Sequence, residues 1–220
     1  MTPPLHSFTH LLFDLDGTLT ESAPGIINSA RYALTQYGIL DVPDSTLRKF
    51  IGPPLMDSFQ ALFGFSREKA REAMGKYREY FAEKGLFENS VYPEIKETLT
   101  ALKEQGKHLF VATSKPEIYM HRILEKFGLT PFFEDACGSD IEETRSAKDQ
   151  VIAYLIEKNH LEGEKQAGKI LMIGDRLHDI IGAHKNGIPC CACLWGYGSE
   201  EEFQEHGADF VIKTPSDLKT

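Results

Sequence analysis

A chain of 220 residues is long enough for one large domain or for a core with a second, smaller lobe. Its 24 Lys and Arg against 33 Asp and Glu give a net charge of −9, which argues against nucleic-acid and anionic-membrane partners, since no basic surplus exists to neutralise phosphates over a long surface. Hydrophobic content of 41% and charged content of 26% match an ordinary soluble protein with a sizeable core. No apolar run approaches membrane-spanning length and no basic-then-apolar leader opens the sequence, so a cytoplasmic location is expected.

In chain order, residues 1–8 read as a short lead-in and about 9–14 as the first strand. Leu11-Leu12-Phe13 is too short for a helix and ends abruptly in Asp14 and Asp16, followed by Gly17. From Ser22 the texture turns helical. Ile26, Ile27, Ala30, Ala33, Leu34 and Tyr37 form one apolar stripe that Gly38 stops. Asp44 or Ser45 is expected to cap a shorter helix through Phe50, which Gly52-Pro53-Pro54 breaks because neither proline donates a backbone N–H. Ser66 is expected to cap a long charged helix carrying Ala70, Ala73, Met74, Tyr77, Tyr80 and Phe81. Residues 22–85 therefore form a helical lobe inserted after the first strand, with 1–21 and 86–220 as the α/β core.

Beyond the lobe, strand and helix alternate. Pro93 at a first helical position opens a helix to about Gln105, and a buried strand over 108–112 ends in Thr113-Ser114-Lys115-Pro116. A helix to Phe127, a short strand over 132–137 and a helix over 146–159 follow. Lys169 to Asp175 is a strand ending in a carboxylate, 177–186 a helix, 188–194 a strand, 200–206 a helix and 209–212 a last strand. This alternation predicts right-handed βαβ crossovers and a three-layer α/β/α, Rossmann-like core around a parallel sheet. Of the four cysteines, Cys190, Cys191 and Cys193 fall within four positions. That suits a reduced compartment, and Cys-Cys-x-Cys on a strand points neighbours to opposite faces, which disfavours a zinc site.

Three apolar strands end in reactive groups: Asp14 with Asp16, Thr113 with Ser114, and Asp175. In a parallel sheet those ends share one edge, so groups far apart in sequence converge. Two carboxylates at i and i+2 repel, and a divalent cation is the simplest relief. Asp14, rigid at a strand end and ionised beside a cation, is the expected nucleophile toward phosphorus. Asp16 is the expected acid for the leaving oxygen and then the base for the water that opens an aspartyl-phosphate. Thr113 or Ser114, with the following backbone N–H, is expected to hold the phosphate oxygens, Thr113 being favoured, and Lys148 to supply positive charge to them. Asp175 completes a cation site with Asp14 and Asp16, and Asp179 reaches it through water or by orienting Lys148. The expected ion is Mg²⁺, which keeps waters and a substrate phosphate in its shell.

This constellation resembles the haloacid dehalogenase superfamily of phosphohydrolases. The resemblance rests on Asp14-Leu15-Asp16-Gly17-Thr18, Thr113-Ser114, Lys148 and Gly174-Asp175-Arg176-Leu177-His178-Asp179, and it covers nearly the whole chain. The inserted lobe looks like that superfamily's cap of the first type, and the chain is most similar to phosphoglycolate phosphatase-like members. The resemblance implies a Mg²⁺-dependent phosphomonoesterase with an aspartyl-phosphate intermediate and a cap closing over a small phosphorylated metabolite, phosphoglycolate or a nucleoside 5′-monophosphate. Related enzymes usually read Thr-Asn-Lys at 113–115 and Lys-Pro where this chain has Lys148-Asp149. Retention of Asp16 argues against the dehalogenase and phosphonate-cleaving branches. A phosphomutase of the β-phosphoglucomutase kind and a non-catalytic binding module remain as alternatives, and the sequence leaves monomer and homodimer open.

Arg48, Lys49 and Gly52 are candidates for contacting substrate beyond its phosphate. His178 and His184, six apart on a helix, are read as surface residues. Glu200-Glu201-Glu202 suits a helix N-terminus, and Trp195-Gly196-Tyr197-Gly198 reads as a loop at the active edge.

Overall fold

In the computed structural model, residues 5–140 and 144–219 are described. The lead-in expected over 1–8 lies partly outside them; within them Leu5–Ser7 form a 3-10 turn. The chain divides into two compact units, one running through Thr20 and again from Val91 onward, the other spanning Glu21–Ser90.

The first unit opens with β1 (His10–Phe13); the chain leaves it through β2 (Thr20–Glu21). The second unit is helical: α1 (Ala23–Thr35), α2 (Asp44–Leu47), α3 (Leu55–Phe63) and α4 (Arg67–Glu83). Ala30, Ala33 and Leu34 of α1 and Ala70 and Ala73 of α4 are fully buried. Small residues at helical spacing let these two helices approach closely. Ser66 accepts a hydrogen bond from the Lys69 N–H at the start of α4, the expected cap. Pro43, not Asp44 or Ser45, stands at the N-cap of α2, without a side-chain cap bond. The Gly52-Pro53-Pro54 break is followed directly by α3, with Pro54 as its N-cap; proline stops one helix and presets the entry to the next.

The chain returns through β3 (Ser90–Val91), which pairs with β2 in a two-stranded ribbon. Then come α5 (Ile95–Glu104), β4 (His108–Pro116), α6 (Glu117–Lys126), β5 (Asp135–Ser139), α7 (Lys148–Lys158) and α8 (Glu162–Gln166). The chain closes with β6 (Ile170–Gly174), α9 (Leu177–Lys185), β7 (Cys190–Cys193), α10 (Glu200–Glu205) and β8 (Phe210–Ile212). Pro93 lies in a turn rather than at a first helical position, and Glu94, at φ 65°, precedes α5.

Six strands form a parallel sheet in the order β5-β4-β1-β6-β7-β8. Successive residues of β1, β4 and β6 are buried, as a sheet covered by helices on both faces requires. On one face Leu12, Phe110, Met172 and Cys190 pack with Val151, Ile152 and Leu155 of α7 and Ile180 and Ala183 of α9. This is a three-layer α/β/α, Rossmann-like fold, and the strand order reverses direction at the β1–β6 pair, the switch point where such sheets gather ligands.

Candidate active site

The register sets the site. Phe13 pairs with Val111 on one side and with Ile173 on the other, and the Asp14 N–H donates to the Ile173 carbonyl at 2.9 Å. Asp14 therefore stands at the end of β1, flanked by Thr113 and Asp175 one step beyond it on the two neighbouring strands. The switch-point edge thus receives all three strand-end groups.

Asp14, Asp175 and Asp179 are buried, and they offer carboxylate oxygens within 4.8 Å of one another. Lys148, the first residue of α7, sits between two of them: its Nζ is 2.7 Å from Asp14 Oδ1 and 2.8 Å from Asp179 Oδ1, and it donates to the Ala112 carbonyl at 3.0 Å. Asp14 Oδ1 also accepts from the Leu15 N–H at 2.7 Å, and the Thr113 hydroxyl bonds the same carboxylate. Asp175 is held by the Thr18 hydroxyl at 3.3 Å and the Tyr197 N–H at 2.8 Å. Asp179 Oδ2 accepts from the N–H groups of Asp175 and Arg176 at 3.1 and 3.0 Å, which curls the first turn of α9 back onto the end of β6.

The backbone makes room for this crowding. Gly17, at φ +85°, has no space for a Cβ, which would lie 2.1 Å from Asp175 Oδ2, and one on Gly196 would lie 2.3 Å from Asp175 Cβ and 2.4 Å from the Gly17 carbonyl. The Trp195 Nε1–H donates to the Thr18 carbonyl at 2.9 Å, so the loop after β7 buttresses the turn after β1.

The electrostatics follow from burial. Burial raises the Asp14 carboxyl above its ordinary range against the pull of Lys148, with Asp179 adding to the rise. Burial, then Asp179 and Asp14, push Asp175 well above the usual carboxylate range. Burial alone would lower the Lys148 ammonium, yet Asp14 and Asp179 together outweigh it and hold it above the ordinary lysine range. Three buried carboxylates face one buried ammonium, a deficit of two positive charges. Hard oxygen donors with that charge balance fit a divalent cation.

Asp16 is not among the three side chains whose oxygens cluster within 4.8 Å. Its carboxylate pairs with Lys115, and the third carboxylate of the cluster is Asp179. Ser114 is half-buried on β4. Arg48 and Lys49, exposed in a 3-10 turn, and Gly52, at φ 103°, belong to the helical unit. His178 is half-buried, and burial followed by Arg176 and Lys148 lowers its imidazole, so it departs from the surface reading; His184 is exposed and pairs with Asp209 at 2.9 Å. Arg176 pairs with Glu202 at 3.0 Å. All four cysteines are free and buried, and burial pushes the Cys137 thiol up to about 12.

Lys115 and Tyr197 carry contacts that sequence reasoning gave no role. The signal for Lys115 was a cation two positions past Thr113 on the same sheet edge. Tyr197 contributes only its backbone N–H, which leaves no side-chain signature.

A parallel sheet carrying three buried carboxylates and one buried lysine at its switch point forms a site suited to a divalent cation. The Haloacid dehalogenase-like hydrolase family model matches residues 11–193, and the chain belongs to that family. It is 42% identical over 200 residues to a 5′-nucleotidase of Pseudomonas aeruginosa, covering 90% of this chain and 88% of that protein. It is also 37% identical to the tyrosine-protein kinase PtkA of Mycobacterium tuberculosis, over 96% of this chain and 67% of that protein. A phosphoglycolate phosphatase of Vibrio parahaemolyticus is 28% identical over 94% of this chain and 93% of its own length. The crystal structure described as a predicted phosphatase from Clostridium acetobutylicum superposes with a TM-score of 0.90 at 42% identity, covering 96% of each chain. Within the family the chain is a phosphoric monoester hydrolase. Among the described residues no helix is long and apolar enough to cross a membrane.

Proposed function

We propose that this chain is a Mg²⁺-dependent phosphatase that hydrolyses nucleoside 5′-monophosphates through a phosphorylated Asp14. The observation that carries the reading is the charge deficit at the switch point: Asp14, Asp175 and Asp179 gathered around a single Lys148. A 5′-nucleotidase at 42% identity against a phosphoglycolate phosphatase at 28% favours the nucleotide over phosphoglycolate as substrate.

Asp14, Asp175 and Asp179 would hold the metal, which when bound neutralises the phosphoryl oxygens and keeps the carboxylates ionised. Lys148 fixes Asp14 Oδ1, which orients the carboxylate for in-line attack on phosphorus. Thr113 and the Lys148 ammonium stabilise the non-bridging oxygens as negative charge shifts onto them. Asp16 protonates the leaving alkoxide oxygen, then takes a proton from the water that opens the aspartyl-phosphate. Arg48, Lys49 and Gly52, in the helical unit, are the candidates for reading the part of the substrate beyond its phosphate.

The test is a panel of nucleoside 5′-monophosphates and 2-phosphoglycolate, ranked by kcat/KM, with and without EDTA. Nucleotides should rank first and EDTA should abolish turnover. Activity that persists in EDTA or in Asp14→Asn, or a clear preference for phosphoglycolate, would overturn the corresponding part of the proposal.

A further inference from the structure

Lys115 has no part in the chemistry above, but it pairs with Asp16, which does. They stand 99 residues apart in sequence, yet the ammonium reaches Asp16 Oδ2, with side-chain exposures of only 6% and 19%. The other oxygen, Asp16 Oδ1, is buried without a hydrogen-bond partner among the described residues. A buried carboxylate oxygen left bare is costly unless a transient partner uses it.

Both backbones are built to present this pair. Asp16 is fixed by its bridge to Thr20 and by the Gly17 N–H bond to the Thr20 carbonyl at 2.8 Å. Lys115 lies where the pairing of β4 with β5 slips between Ala112 and Pro116. Irregularities of that kind re-aim side chains at sheet ends. The Lys115 N–H bond to Thr113 Oγ1 at 3.3 Å ties the segment to the phosphate-binding hydroxyl.

We infer that Lys115 is a positioning residue for proton transfer: it clamps Asp16 Oδ2 so that Oδ1 is the oxygen that serves the leaving group and the water. As Asp14 Oδ bonds to phosphorus and the ester P–O bond breaks, the proton on Asp16 Oδ1 passes to the departing alkoxide. In the second step the oxygen of water bonds to phosphorus, its proton returns to Oδ1, and the Asp14–phosphorus bond breaks to release inorganic phosphate. This inference rests on the reading of Asp16 as the acid–base group.

The experiment compares two substrates on each enzyme preparation. A nucleoside 5′-monophosphate needs its leaving alkoxide protonated, whereas p-nitrophenolate departs without that help. Lys115→Met should lower kcat/KM for the nucleotide by about 10²-fold and for p-nitrophenyl phosphate far less. Because the ratio is taken on one sample, a misfolded fraction cancels out of it. Lys115→Gln should show the same split, and Lys115→Arg should restore the nucleotide rate. Asp16→Asn is the reference and should show the split most strongly.

Equal losses on both substrates in Lys115→Met, with the split intact in Asp16→Asn, would overturn the role of Lys115 and leave the phosphatase reading standing. No split in Asp16→Asn would remove the acid–base assignment, and the inference with it.

Discussion

Replacing Asp175 with Asn should stabilise the metal-free protein while abolishing its response to metal. Asp175 is fully buried, and its oxygens lie within 4.8 Å of those of Asp14 and Asp179. At an effective dielectric constant near 20, two like charges at that separation repel by roughly 3 kcal/mol, so the two pairs together amount to about 7 kcal/mol. Attraction to Arg176 offsets part of this, and the Thr18 and Tyr197 hydrogen bonds contribute about 1–3 kcal/mol that Asn keeps only in part. The net gain for Asp175→Asn in EDTA is on the order of 1–3 kcal/mol, or about 2–4 °C in Tm per kcal/mol for a chain of this size.

The sign agrees with proton linkage. The folded-state value of Asp175 is raised, so its contribution to stability is fully present below the unfolded carboxylate value. It is lost as pH rises through the folded value, so the metal-free fold weakens as pH rises. Wild type in Mg²⁺ at about 100 times Kd should gain about 2.7 kcal/mol, and Asp175→Asn should gain almost nothing. Thermal scans in EDTA and in saturating Mg²⁺ should therefore cross: the variant melts higher without metal, wild type higher with it. A variant that melts below wild type in EDTA, or that gains as much from Mg²⁺, would refute the electrostatic account.

Three further outcomes follow. Lys148→Met leaves Asp14 and Asp179 facing each other without their ammonium; it should cost about 3–5 kcal/mol in metal-free stability by denaturant titration and at least about 10²-fold in kcat. Ser66→Ala removes the hydrogen bond to the Lys69 N–H and should cost about 1 kcal/mol, read as a drop in denaturation midpoint with kcat unchanged. The buried thiols, with Cys137 pushed up to about 12, should resist a thiol reagent at mildly alkaline pH and all react in guanidinium; a fast-reacting cysteine in the folded chain would contradict their burial.

Much of the fold and part of the site were legible because apolar runs of strand length end in carboxylates. Leu11-Leu12-Phe13 before Asp14 and Ile170 through Gly174 before Asp175 carry both the strand signal and its chemical terminus. What remained hidden depends on contacts that no local pattern encodes. The sequence reading has Asp179 reaching the site through water or by orienting Lys148, and its Oδ1 lies 2.8 Å from that ammonium. Its place beside Asp14 and Asp175 in the cluster was not legible, because it comes from capping the start of α9 with its own carboxylate. Lys115 was masked because β4 continues to Pro116 through a slip in register, whereas the apolar run stops at Ala112. Helix α3 was missed because Pro53-Pro54 reads as a stop, though Pro54 also begins the next helix. Propensity identifies the break and says nothing of what resumes after it.

The most direct measurement is to quench the enzyme in acid during turnover, reduce it with borohydride, and locate the modified residue by mass spectrometry, since an aspartyl-phosphate is converted to homoserine. The account predicts homoserine at position 14 and nowhere else, with the signal absent when the metal is chelated. Modification at another carboxylate, or sustained turnover with position 14 never modified, would contradict it.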